Sequence, residues 1–291
     1  MNNMKKASKI LTALFLIAVS VLIYLTTTIR IYTEPFVELV TAASHSYQPC
    51  NKFCYITQTA VAPLRDNTLN LLVWNIHKGS DLGWQQDLTR FANTTDLMLL
   101  KEATSNQALS SVFKATFPTS FFTAGFSYKN ITSGVEILAK TTPDMYCAGT
   151  GEEPWLRIPK VVQALRFPLE NGQSLLVVNL HLVNFEWTPT QYRQQLEIMM
   201  DRIAEHKSAV ILAGDFNSWN KDRLTLIRRL AAEQGLTEVS FENDQRLRFF
   251  GQPLDHIFVR GLAIKRAYSE SVESSDHNPL RVELELITAQ P

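Results

Sequence analysis

The chain has 291 residues, of which 45% are hydrophobic and 19% charged, with a formal net charge of zero. These figures exclude a disordered or fibrous chain and allow one large globular domain or two ordinary ones. They also exclude a global electrostatic pull toward nucleic acid, while leaving room for a local basic patch.

Ile10 to Ile29 is uncharged and almost wholly apolar or threonine. As a helix, its roughly 20 residues span about 30 Å, the thickness of a bilayer's hydrocarbon core. Lys5, Lys6 and Lys9 precede it, whereas Arg30 is soon followed by Glu34 and Glu38. The positive-inside tendency therefore predicts a single-pass anchor with its amino end in the cytoplasm and the rest exported. A cleaved signal peptide and a buried core helix are the alternatives. The apolar run exceeds a usual signal core, however, and the nearest small-residue site, Ala42-Ala43-Ser44, lies far downstream.

Residues 31–68 show little periodicity and contain Pro35, Pro49 and Pro63, which reads as a tether or a surface-hugging arm. Three cysteines are too few for a disulfide framework and lack zinc-site spacing. Cys50 and Cys54 form a local disulfide if this part is exported and are ordinary thiols if it is not; Cys147 reads as a buried apolar residue.

From Leu69 onward apolar runs alternate with amphipathic stretches. Strands are expected at Leu69–Trp74, Asp96–Leu100, Gly134–Ala139, Val161–Phe167, Ser174–Leu182, around Val210, and at Asp255–Val259, Ala263–Ser269 and Leu280–Ile287. Glu170-Asn171-Gly172 is a hairpin turn signal between two of them. Helices are expected at Trp84–Ala92, at Thr190–His206, where Leu196, Met199, Met200 and Ile203 recur at helical spacing, and at Asp222–Gln234, stopped by Gly235. Adjacent hairpins mixed with helices predict a layered α/β domain, residues 69–291, with a mixed or antiparallel sheet.

Polar residues of one chemical type recur where these strands end: Asn75, Glu102, His181, Asp215, Asn217, Asp255 and the pair Asp276-His277. Each alone has a plain structural role, as a turn, a helix cap or a hydrogen-bonded core histidine. Together they point to phosphate-ester hydrolysis. A hard divalent ion takes oxygen from one or two carboxylates and keeps its waters, which describes Mg²⁺. Metal and neutral or cationic donors stabilise charge on the non-bridging oxygens. A carboxylate-oriented histidine moves a proton near neutral pH.

With these residues in view, the chain resembles the endonuclease/exonuclease/phosphatase (DNase I-like) superfamily. The motifs are Trp74-Asn75-Ile76, Lys101-Glu102, Ser133-Gly134-Val135, Asn179-Leu180-His181, Gly214-Asp215-Phe216-Asn217, Leu254-Asp255 and Ser275-Asp276-His277, in the family's order and covering about Leu69 to Ile287. Within it the chain looks nearest to the YafD-like proteins of bacteria. The resemblance implies a four-layer α-β-β-α sandwich after the N-terminal helix. It implies that Asn75 and Glu102 hold the metal with Asp276 nearby, Mg²⁺ being the expected ion and Mn²⁺ a substitute. His277 would act as general base or bind the scissile phosphate, oriented by Asp255. Asp215 would position or activate water, Asn217 would hold phosphate, and His181 matches the histidine of the DNase I, sphingomyelinase and inositol-phosphatase branches. Lys101 departs from the family's usual Gln, Glu136 from a small residue, and Lys160 stands near an expected phosphate-binding Arg. A catalytic Tyr has no clear counterpart, Tyr128 being the nearest guess, and His256 has no expected chemical role.

Three functions compete on these grounds. The first is a membrane-anchored, Mg²⁺-dependent phosphodiesterase acting on nucleic acid or a phospholipid headgroup. The others are an inositol-phosphatase-like phosphomonoesterase and a non-catalytic anchored binding module. A nuclease needs a basic groove, for which Arg223, Arg228, Arg229, Arg246 and Arg248 are the candidates, although those on the last helix also suit a solvated face. A monomer in a bacterial inner membrane, its catalytic domain in the periplasm, is expected; a cytoplasmic domain is the alternative.

Overall fold

The β-rich half of the sequence is apolar on alternate residues toward two different layers, and that alternation dictates two sheets stacked face to face with helices outside. The computed structural model describes residues 2–287 apart from 43–44, 50–53, 58–59, 65–66, 154–156, 185 and 187–189. In chain order the elements are α1 (Asn2–Thr28), β1 (Ile29–Val40), β2 (His45–Pro49), β3 (Cys54–Ile56), β4 (Thr68–Asn75), α2 (Trp84–Ala92), β5 (Leu97–Thr104), α3 (Leu109–Val112), β6 (Thr119–Tyr128), β7 (Ile131–Ala139), β8 (Met145–Glu152) and β9 (Pro159–Pro168). They continue with β10 (Ser174–His181), α4 (Thr190–Glu205), β11 (Ala209–Asp215), α5 (Lys221–Glu233), β12 (Thr237–Glu238), β13 (Arg248–Phe249), β14 (Gln252–Pro253), β15 (Asp255–Arg260), β16 (Leu262–Ser269) and β17 (Leu280–Leu286).

One sheet runs β16-β17-β4-β5-β7-β6-β1-β2 and the other β12-β15-β11-β10-β9-β8-β3. Only β4 with β5 and β10 with β11 are parallel neighbours among these pairs; the rest are antiparallel. Leu71, Val73, Leu99, Val177, Ile211 and Ile257 belong to the core between the sheets. Outside one sheet Leu88, Phe91 and Phe113 of α2 and its neighbours pack on Trp74, Met98 and Leu138. Outside the other, Leu196, Met199 and Ile203 of α4 and Ile227 of α5 pack on Val178, Val210 and Leu212. The result is the four-layer α-β-β-α sandwich.

Two expectations change. Residues 29–40 and 54–56 are strands of the two sheets: β1 pairs with β6, and β3 with β8. Pro35 falls in the register shift between Ile31 and Phe36 of β1, where the ladder with β6 is interrupted, so it does not prevent strand pairing. The second correction concerns the cysteines. Cys54 faces Cys147 across the β3–β8 ladder and is bonded to it, with Cα atoms 4.0 Å apart. Cys147 is therefore a disulfide partner, and Cys54 does not pair locally; Cys50 lies outside the described residues. Sheet pairing brings together residues 93 apart that sequence proximity could not suggest.

Helix α1 holds a 20-residue apolar span, Lys9–Thr28, none of it buried. It is long and apolar enough to cross a membrane.

Candidate active site

Parallel and antiparallel pairing delivers the polar strand ends to one edge of the sandwich. β4, β10 and β11 end there with Asn75, His181 and Asp215, β5 carries Glu102 there at a bulge two residues before its end, and the antiparallel β15 starts there with Asp255. His181 is registered with Asp215, and Asp215 with Asp255. His277 precedes β17 at the same edge, its backbone carbonyl accepting from Trp74 Nε1 at 2.8 Å.

The backbone at this edge is specialised. Gly214 has φ +149°, and a Cβ there would lie 2.0 Å from the Leu180 carbonyl oxygen, so only glycine lets β11 pass β10 so closely. Asn217 adopts φ 48°; its amide N–H bonds Asp215 Oδ1 at 2.9 Å and its side chain donates to the Leu182 carbonyl at 2.7 Å. Glu102 adopts φ 55° at a register shift between β5 and β7, a bulge that re-aims the carboxylate. Arg223 is buried, donates to the Val183, Asn184 and Asn217 carbonyls and lies over the Tyr192 ring, thereby clamping the turn after β11.

The centre is a contiguous charge network. His277 Nδ1 bonds Asp255 Oδ2 at 2.6 Å, and its Nε2 lies 3.8 Å from Asp215 Oδ2. Asp215 Oδ2 also accepts from Asn75 Nδ2 at 3.2 Å and lies 3.5 Å from His181 Nε2. Lys160 Nζ lies 2.9 Å from that same His181 nitrogen. Burial and the charge of Asp255 push Asp215 up to about 6. Burial opposes protonation of His277, but the Asp255 carboxylate outweighs it and raises the imidazole to about 9. Burial, followed by Lys160, drives His181 well below its ordinary value, so it is neutral. Asp255 is held low by His277 against the cost of its own burial. The arrangement is a protonated imidazolium beside a carboxyl that titrates near neutrality.

Glu102 stands on the other side of His181, ion-paired with Lys78. Against the cost of burial, His181 and Lys78 hold its carboxyl at about 2. Because His181 is uncharged at neutral pH, the standing cations are Lys78 and Lys160. Asp276 is half-exposed at the rim, 3.9 Å from His77 Nδ1. Asn75 Oδ1 accepts from the His77 amide at 3.1 Å. Lys101 is buried between the sheets, bonded to the Leu99 carbonyl at 3.3 Å and drawn electrostatically to Asp255 and Asp215. Burial lowers its amine to about 8.

Among the described residues, Asp215, Asp255 and His277 offer ligand atoms within 4.8 Å of one another, a group able to hold a metal ion. Asp255 Oδ1 is buried without a hydrogen-bond partner. The donor set at this edge is rich in carboxylate and amide oxygen, which fits a hard divalent cation. His277 is the poorest ligand of that group, since a protonated imidazole has no lone pair to offer.

The structure thus brings Asn75, His181, Asp215, Asn217, Asp255 and His277 together through direct contacts, with Glu102 lining the same cleft as His181 and Asp276 at the rim. Sequence reasoning missed Lys78, whose only signal is a basic residue three positions after Asn75. The arginines proposed for a basic groove do not make one: Arg223 is interior, Arg228 pairs with Glu238, Arg229 with Glu233, and Arg246 and Arg248 with Asp244. His256 is buried behind the site, bonded to Ser218 and Glu238.

Comparison with known proteins agrees with this geometry. A "UPF0294 protein" of Vibrio cholerae is 42% identical over 223 residues, covering 76% of this chain and 79% of that protein. One from Yersinia pestis is 40% identical over 217 residues, covering 75% and 84%. Among solved structures, an endonuclease/exonuclease/phosphatase of Beutenbergia cavernae superposes with TM-score 0.60 at 14% identity, covering 75% of this chain and 72% of that one. D. rerio TDP2 complexed with a single-strand DNA product gives 0.56 at 17% identity, covering 76% and 100%. The human Nocturnin catalytic domain with bound sulfate gives 0.55 at 17%, covering 78% and 97%. The model of the Endonuclease/Exonuclease/phosphatase family matches residues 72–277, from β4 to the buried histidine of the charge network, and the chain belongs to that family.

Proposed function

We propose that the protein is a membrane-anchored, divalent-metal-dependent phosphodiesterase. The observation that carries this reading is the chain of contacts at one sheet edge: His277 Nδ1 bonds Asp255 Oδ2 at 2.6 Å, its Nε2 faces Asp215 Oδ2 at 3.8 Å, and that oxygen also meets Asn75 Nδ2 at 3.2 Å and His181 Nε2 at 3.5 Å. Asp215 takes a proton from the attacking water, and the His277 imidazolium binds the scissile phosphate. Asn217 and the neutral His181, with Lys160 beside it, supply further donors to the phosphoryl oxygens. Asn75 and Glu102, with Asp276 at the rim, would hold the metal; Mg²⁺ is the expected ion and Mn²⁺ its substitute. When bound, the ion supplies charge neutralisation at the phosphoryl group.

The anchor is α1. The Cys54–Cys147 disulfide supports placing the domain on the oxidising side of the membrane, because such bonds persist in the periplasm and not in the cytosol. We take the protein to act as a monomer.

The test uses full-length protein in detergent with bis-p-nitrophenyl phosphate. Turnover that Mg²⁺ supports, EDTA abolishes and re-added Mg²⁺ restores is expected. Equal rates with and without EDTA would overturn metal dependence, and release of inorganic phosphate from monoesters without diester cleavage would overturn the diester assignment.

A further inference from the structure

A cleft of about 470 Å³ runs from the charge network to the place where α1 leaves the sandwich. Its inner end carries Glu102, Lys78, Lys160 and His181; its outer end is walled by Phe126, Tyr128, Ile131 and Ile158. The outer wall is the tip of the β6–β7 hairpin, and this tip is bonded directly to the helix. Tyr128 and Tyr24 share a hydroxyl–hydroxyl bond of 2.6 Å, and the Lys129 amide donates to the Thr28 carbonyl at 2.8 Å. β1 then continues from the helix along the same hairpin, placing Ile29 opposite Tyr128 and Ile31 opposite Phe126.

Tyr24 lies four residues, about 6 Å of helix rise, before the end of the apolar span. The mouth of the cleft is therefore at headgroup depth when the helix is in a bilayer. Ile31, Tyr128 and Ile131 are each about two-fifths exposed there, and Arg30 and Lys129 flank them. Exposed apolar and aromatic residues with flanking cations are what a lipid–water interface favours. A cleft with phosphate-binding groups inside and an apolar wall at the membrane suits an amphipathic ligand, phosphate inward and chain outward. Nucleic acid would instead need a continuous basic track, and the late arginines are buried or paired with acids.

Resting on the phosphodiesterase reading above, we infer that the substrate is a lipid phosphodiester drawn from the membrane in which α1 is anchored, its apolar part lying along Phe126, Tyr128 and Ile131. In the reaction the water oxygen bonds to phosphorus, Asp215 takes the water's proton, and the bond from phosphorus to the leaving alcohol's oxygen breaks. The leaving oxygen takes a proton from solvent and Asp215 returns its proton to solvent, so the products are a phosphomonoester and an alcohol.

The experiment uses the full chain reconstituted with Mg²⁺ in vesicles of phosphatidylcholine and phosphatidylglycerol. Headgroup-ester cleavage is followed by phosphorus NMR, with bis-p-nitrophenyl phosphate and plasmid DNA as parallel substrates. The inference predicts vesicle-lipid cleavage at a kcat/KM about tenfold or more above the soluble diester, a ratio worth about two buried methylenes. It also predicts that Ile131→Asp lowers the ratio of lipid to soluble-diester rates by a similar factor. Turnover of the soluble diester or DNA with no lipid cleavage, or an unchanged ratio in Ile131→Asp, overturns the lipid assignment and leaves the phosphodiesterase reading standing. No turnover of any of the three overturns that reading, and the inference with it.

Discussion

Glu136 carries a carboxyl into the outer core layer of the β6–β7 side, where Ser120 Oγ donates to it at 2.8 Å. Burial raises it to about 7, above its ordinary 4.5. A carboxyl raised on folding binds its proton more tightly in the folded state, so folding stability falls as pH rises from about 4.5 to about 7 and is level above that. Glu136→Gln keeps the acceptor oxygen and removes the ionisation. Urea denaturation at pH 5 and pH 8 should show the variant losing less stability between the two than wild type; an equal loss would place the fall elsewhere. At the reaction centre the signs are opposite in effect. The proposed reaction uses Asp215 ionised and His277 protonated, so the kcat/KM profile should rise near pH 6 and fall near pH 9. His277→Ala should remove the alkaline limb; a profile that keeps it would assign that limb to another group. Most of these residues are legible in the sequence, because side chains that do chemistry stand at strand ends where their type departs from the apolar run before them. Lys78 is not. It follows β4 in a short turn, and nothing in a lone lysine signals that a bulge 24 residues later turns Glu102 toward it.

Strand runs with apolar alternation are similarly legible, from Leu69–Trp74 to Leu280–Ile287. β1 and β3 are not, since Pro35 within β1 and the prolines on either side of β3 read as a tether, and only pairing with β6 and β2, and with β8, makes them strands. The physical reason is that β6 and β8, which hold these strands, lie far away in sequence, and local pattern does not record such partners. Two consequences belong at this scale. Cys54→Ser should lower stability by about 2–4 kcal/mol, the usual worth of a crosslink closing a long loop, and a reducing agent should lower wild type but not the variant. A chain beginning at Leu69 would leave β6 without β1 and Cys147 without its partner. It should express with an exposed sheet edge and aggregate, measurable by light scattering beside the full chain. A monodisperse, equally stable truncated domain would show that the first 68 residues are dispensable to the sandwich.

Over the whole molecule, one edge of a four-layer sandwich gathers the candidate catalytic groups, and the apolar helix α1 enters the fold beside that edge. The two parallel strand pairs matter here: β4 with β5 in one sheet and β10 with β11 in the other run toward the same side, and the antiparallel β15 begins there. A formal net charge of zero gives no long-range attraction for polyanions, so recognition falls to local cations such as Lys78 and Lys160. The proposed reaction makes one requirement of this topology, that the carboxyl of Asp215 and the imidazolium of His277 act on the same phosphoryl group. The direct test is diester hydrolysis by full-length wild type, Asp215→Asn and His277→Ala in Mg²⁺, with circular dichroism verifying that each is folded. Both variants should lose about 10²- to 10⁴-fold in kcat, the range for a positioned proton-transfer group. Folded variants that hydrolyse the diester at the wild-type rate would contradict the assignment of this edge as the reaction centre.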